Sequence, residues 1–75
     1  MNHSQELQQL SDVCRSLGAD VRYCPDYGHL TALAWESEGE QRALSIQRQI
    51  RRQTAKYPGL VCYCFDAFST LVYGL

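Results

Sequence analysis

Long apolar runs are missing from this chain. The stretch 60–65, Leu-Val-Cys-Tyr-Cys-Phe, falls far short of the roughly 18 residues that a membrane-spanning helix needs. No membrane partner is therefore expected. The amino terminus, Met1-Asn2-His3-Ser4-Gln5-Glu6-Leu7, shows neither the basic segment nor the apolar stretch of a secretory signal. A cytoplasmic location is the expectation. Excess charge of one sign is missing too: the formal net charge is −1, which gives no global field toward nucleic acid or membrane. Also absent are a glycine-rich phosphate loop, a His-x-x-x-His pair and paired carboxylates on a helix face. Each is a sequence mark of nucleotide, metal or acid–base chemistry. No enzyme activity and no cofactor are expected.

What is present is enough for one core. The hydrophobic fraction is 45% and aromatic residues make up 11%, values of a packed chain rather than a disordered one. Seventy-five residues make a single domain, 1–75, because two cores would each bury too little surface.

Hydrophobic spacing then orders the chain. Across residues 4–17, Leu7, Leu10, Val13, Cys14 and Leu17 recur at three- and four-residue steps, the pattern of an amphipathic helix. Ser4 is the candidate N-cap and Gly18 the stop. Residues 20–25 read as a strand, Pro25-Asp26-Tyr27-Gly28 as a turn, and residues 30–36 as the returning strand. Ser37-Glu38-Gly39-Glu40 fits a capping box opening a second helix that runs to Lys56. Its inward stripe is Ala43, Ile46, Ile50 and Tyr57. Residues 60–65 and 70–73 read as two further strands. The expected fold is α+β in the order α-β-β-α-β-β, with two helices packed on one face of an antiparallel sheet of three to four strands.

Tyr-Cys-x-Asp occurs twice, at Tyr23-Cys24-Pro25-Asp26 and Tyr63-Cys64-Phe65-Asp66. If this marks a duplicated helix-hairpin unit, Cys24, Cys62 and Cys64 share one sheet face, opposite Tyr23 and Tyr63. Val61, Tyr63 and Phe65 alternate with Leu60, Cys62 and Cys64, so neither face is clearly polar. The expectation places the aromatics in the core. In either orientation a second, uncovered apolar surface results, and such a surface invites cover by a partner.

Four cysteines raise disulfide and metal chemistry. Clear helical periodicity and a reducing compartment favour buried free thiols over a disulfide scaffold. A zinc site would recruit Cys24, Cys62, Cys64 and His29. However, Cys62 and Cys64 flank a single residue in an extended strand, which holds their sulfurs roughly 6–7 Å apart. Paired zinc cysteines ordinarily have two to four residues between them, on a turn. No metal is expected. A nucleophilic cysteine beside His29 and Asp26 would sit around a tight turn, with no helix N-terminus to activate it.

Charge is distributed unevenly. Residues 41–59 hold Arg42, Arg48, Arg51, Arg52 and Lys56 without an acid, while the remainder has Arg15 and Arg22 against all eight acidic residues. That order suits the helix dipole, and it also offers a binding face. The expected function is a small non-catalytic macromolecule-binding protein, a protein–protein interaction module or inhibitor. The candidate contact residues are Arg48, Arg51, Arg52, Lys56, Tyr27 and Tyr73. A homodimer through the sheet face or edge is a further expected association. Compact domains of this length and layout resemble the small inhibitors and adaptors of phages and other mobile elements, including anti-CRISPR proteins. The likeness lies in length and architecture. The alternative is a nucleic-acid-binding module with the second helix on phosphates, and a zinc or thiol protein is the third reading.

Overall fold

A computed structural model of the protein describes residues 3–75. The chain order is α1 (Ser4–Ser16), β1 (Asp20–Cys24), β2 (His29–Leu33), α2 (Glu40–Thr54), β3 (Leu60–Cys64) and β4 (Ser69–Gly74). Short 3-10 turns at Pro25–Tyr27 and Glu36–Glu38 join β1 to β2 and β2 to α2. The four strands form one antiparallel sheet in the order β1-β2-β4-β3. Both helices pack on the same side of it, as the α+β reading expects.

α1 presents Leu7, Leu10, Ser11 and Cys14 to the sheet, all buried. It ends in a Schellman motif: Gly18 N donates to Arg15 O, and Ala19 N to Cys14 O. The φ of +98° at Gly18 is what this motif requires. Arg42 Nη2 donates to Leu17 O from α2, at 3.4 Å. The sequence reading of α1 is right in extent to within one residue, but Ser4 lies inside the helix and His3 precedes it.

The start of α2 differs from expectation. Ser37 is taken up in the Glu36–Glu38 turn, and the helix begins at Glu40 behind Gly39, with no side-chain cap. Gly39 stands at φ +93°, ψ 158°, a region that only glycine visits freely. A capping box needs an extended Ser37 directly before the helix, and the turn removes it. β2 is correspondingly shorter than residues 30–36. From α2, Ala43, Ile46, Gln47, Ile50 and Thr54 are buried. The Gln47 amide donates to the carbonyl of Asp66 in the loop between β3 and β4.

Register decides the faces. Val21↔Ala32, Tyr23↔Leu30, Leu30↔Val72 and Cys62↔Val72 are cross-strand neighbours and so share one side. This is the helix side, where Leu7, Leu10, Leu30, Ile46, Ile50 and Val72 form the core. Burying each such large aliphatic side chain stabilises by about 1.5–3 kcal/mol.

Two expectations fail here. Tyr23 shares the helix side with Cys62 and Cys64, while Tyr63 and Cys24 lie on the other. The Tyr-Cys-x-Asp repeat is therefore coincidental. The strands enter the sheet one residue out of phase, and a one-residue shift exchanges faces. Nor are the strand aromatics in the core as a set: Tyr63 and Phe65 are exposed, and only Tyr23 packs against it.

Candidate functional site

The side of the sheet away from the helices is uncovered. Across the strands it reads in three rows: Cys24–His29–Tyr73–Val61, then Arg22–Thr31–Leu71–Tyr63, then Asp20–Leu33–Ser69. Phe65 continues the third row, because its amide donates to Ser69 O at 2.9 Å. Tyr63 and Phe65 are 55% and 60% exposed, and Leu33 and Tyr73 are exposed as well. The Tyr63 and Phe65 rings meet edge to face at 5.2 Å, a favourable aromatic geometry that holds both in place. The exposed apolar residues of this face, Leu33, Tyr73, Tyr63 and Phe65, run from β2 across β4 to β3 and its following loop, and such a patch is what a two-layer domain covers or uses.

One end of the face carries a second aromatic group. Tyr73 is the register partner of His29, and the Tyr27 ring lies 6.2 Å from the His29 ring. The 3-10 turn at Pro25–Tyr27 lifts Tyr27 clear of the sheet, leaving it 81% exposed. Tyr27 and Tyr73 are thus each neighbours of His29.

The opposite end opens into a cavity of about 450 Å³. Leu33, Ala34, Trp35 and Phe68 give it apolar walls, with Asp20 and Glu36 among its lining. The loop from β3 to β4 is set by Asp66, whose Oδ1 accepts from Phe68 N at 2.8 Å. Phe68 O in turn accepts from Ala34 N at 2.8 Å, tying the cavity's two halves together.

The basic candidates lie elsewhere. Arg48 and Arg52 are exposed on α2, and Lys56 is exposed in the turn after it, because the helix ends at Thr54 rather than at Lys56; this layer lies on the other side of the sheet from the aromatic face. Arg51 turns toward the β3 edge and donates to Cys64 Sγ at 3.3 Å. The six predicted contact residues are therefore not brought together: Tyr73 is on the open face, Tyr27 on the turn at its end, and the four cations on the helix layer. Tyr63, Phe65, Leu33 and Trp35 were not among them. Alternation had already grouped Tyr63 with Phe65; what sequence could not supply was the direction in which that group points.

The thiols are dispersed. Cys14, Cys62 and Cys64 lie between the layers, and Cys24 lies on the open face. All four are free. Burial pushes the Cys14 thiol up to about 11, with the neighbouring Cys62 adding to it. Burial and then Cys64 push Cys62 up to about 11 as well. Near neutral pH both are protonated and poor nucleophiles. Cys24 is the register partner of His29, but among the described residues no side-chain hydrogen bond joins them. Nor do three or more His, Cys, Asp or Glu side chains converge on a metal-sized site among those residues. No helix among them is long and apolar enough to cross a membrane.

Comparison with known proteins returns no match, whether to a protein family, to curated proteins or to solved structures.

Proposed function

We propose that this protein acts by binding another protein on the open face of its sheet, without catalysis of its own. The observation that carries this reading is the uncovered face itself, with Tyr63, Phe65, Tyr73 and Leu33 exposed on a rigid four-stranded platform. Aromatic anchors on a rigid scaffold bind at low entropic cost, and interfaces are enriched in them. A second copy of the chain belongs among the candidate partners, since β1 and β3 are unpaired edges next to that face. An inhibitor or adaptor of the mobile-element kind fits the reading in size. The cytoplasm is its proposed setting, because four free thiols persist in a reducing compartment.

The nucleic-acid reading is the weaker one on geometry. Single-strand binding places stacking aromatics beside cations that follow the backbone. Here the aromatics and the α2 cations occupy different layers, and Arg22 is the one arginine or lysine on the open face. Affinity capture from the native host, scored for protein and nucleic acid, tests the two. The chain is used unaltered, with Tyr63→Lys plus Phe65→Lys, and with Arg48→Ala plus Arg52→Ala plus Lys56→Ala. The protein-binding reading expects a captured protein that is lost with the first variant and kept with the second. Nucleic acid lost with the second, and released steeply by salt, would defeat it.

A further inference from the structure

The cavity beside Trp35 has a chemistry that its apolar walls alone do not explain. Asp20 and Glu36 line it, and no lysine, arginine or histidine does. Among the described residues neither carboxylate forms an ion pair; the two present, His3–Glu6 and Arg15–Asp12, are elsewhere. The volume of about 450 Å³ lies within the range of small-ligand sites, about 300–1,000 Å³.

Three kinds of occupant can be compared. An anion would meet two carboxylates and is repelled. A purely apolar side chain would fill the space against Leu33, Ala34 and Phe68, but it would strip water from Asp20 and Glu36 and offer nothing in return. A side chain with an aliphatic stem and a cationic head satisfies both parts. Its stem lies on the apolar walls, and its head reaches the carboxylates and the Trp35 ring, the strongest of the aromatic partners for a cation. Guanidinium does this better than ammonium, because it stacks on a ring and donates two parallel bonds to a carboxylate.

We infer that this cavity is the receptor for an arginine side chain of the protein that docks on the open face. Asp20, Leu33 and Ser69 belong both to the cavity lining and to the last row of that face, so a partner lying over Tyr63 and Leu71 reaches the cavity without a break. The inference rests on the protein-binding reading for the arginine's source. Its chemistry can be tested without the partner.

Trp35 is the only tryptophan, so its fluorescence and its indole N–H resonance report on this cavity alone. The whole protein is titrated with N-acetyl-arginine methylamide, and with the norleucine and glutamate analogues as controls. The arginine compound is expected to give a saturable shift of both signals with a Kd of about 1 mM, in keeping with a ligand of its size. Asp20→Asn combined with Glu36→Gln should weaken it by about tenfold. Gln5→Ala, exposed on α1 and part of neither surface, should leave it within about twofold. An equal response to norleucine, an unchanged response in the carboxylate variant, or no saturable shift in either signal overturns the inference. Each of those results leaves the open-face reading standing, since loss of the captured partner with Tyr63→Lys is read separately.

Discussion

Gly74 has no room for a β-carbon beside His3: a methyl there would stand 2.5 Å from the imidazole Cδ2. Gly59 is closed off by the same ring from the other side. The imidazole is held between them by Glu6 Oε1, 3.1 Å from Nδ1, and by Leu75 O, 3.3 Å from Nε2. Gly74→Ala is expected to expel the ring and cost about 1–2 kcal/mol. In a His3→Ala background the same change should cost nothing, or stabilise slightly by restricting the unfolded chain. Urea unfolding of the four proteins in this cycle measures the coupling, and equal costs in both backgrounds would refute the steric account.

Ser11 sits in the apolar stripe of α1, fully buried, and its hydroxyl finds no hydrogen-bond partner among the described residues. A buried polar group left unpaired costs about 1–3 kcal/mol. Ser11→Ala removes that hydroxyl while keeping the helix former, so stability should rise by up to about 1 kcal/mol. A loss of stability on thermal or urea unfolding would show that the hydroxyl has a partner.

The two raised thiols make stability fall in alkali. Below about pH 8 Cys14 and Cys62 are protonated in both states and contribute no pH dependence. Between their ordinary value of 9.0 and about 11, the unfolded chain gives up protons that the folded chain retains. Stability therefore declines across that window. The decline should be shallower in Cys14→Ala. Partial exposure of Cys62 makes its share the smaller one. The check is unfolding free energy measured at intervals from pH 8 to 11 for both proteins.

Tyr63→Lys and Phe65→Lys change exposed side chains that support no core residue. Each should leave unfolding free energy within about 0.5 kcal/mol of the parent. Leu30→Ala, on the buried side of the same sheet, should cost about 2–5 kcal/mol. Losses above about 2 kcal/mol from both lysine changes would mean that the face is structural.

Helices were the readable part of this chain, because Leu7, Leu10 and Cys14, and likewise Ile46 and Ile50, repeat at a period that only a helix turns to one side. Both hairpins were readable as well, from Pro25-Asp26-Tyr27-Gly28 and from the alternation around Tyr63. The sheet order was not. β2 and β4 meet along edges whose alternation would equally suit β1 or β3, so nothing local selects the pairing.

Face assignment failed for a related reason. Tyr23 and Tyr63 carry the same local letters, but Tyr23 Oη donates to Ser4 O at the start of α1, 3.1 Å away. That tie exists only once α1 has been placed over β1. The site suffered most. Tyr63, Phe65 and Leu33 become a surface only when both helices choose the other side, and the Trp35 cavity is built from two loops that the chain brings together late.

The meeting of β2 and β4 at the middle of the sheet makes this chain a tethered pair of unlike halves. Each half has a helix and a hairpin, and neither contains the seam at which Leu30 and Val72 face one another, both fully buried. Neither half can close its own core, so folding is in effect an intramolecular association. The Glu36–Glu38 turn and Gly39 are the tether that sets the local concentration of one half around the other. A chain cut there would become a two-piece assembly whose integrity depends on dilution.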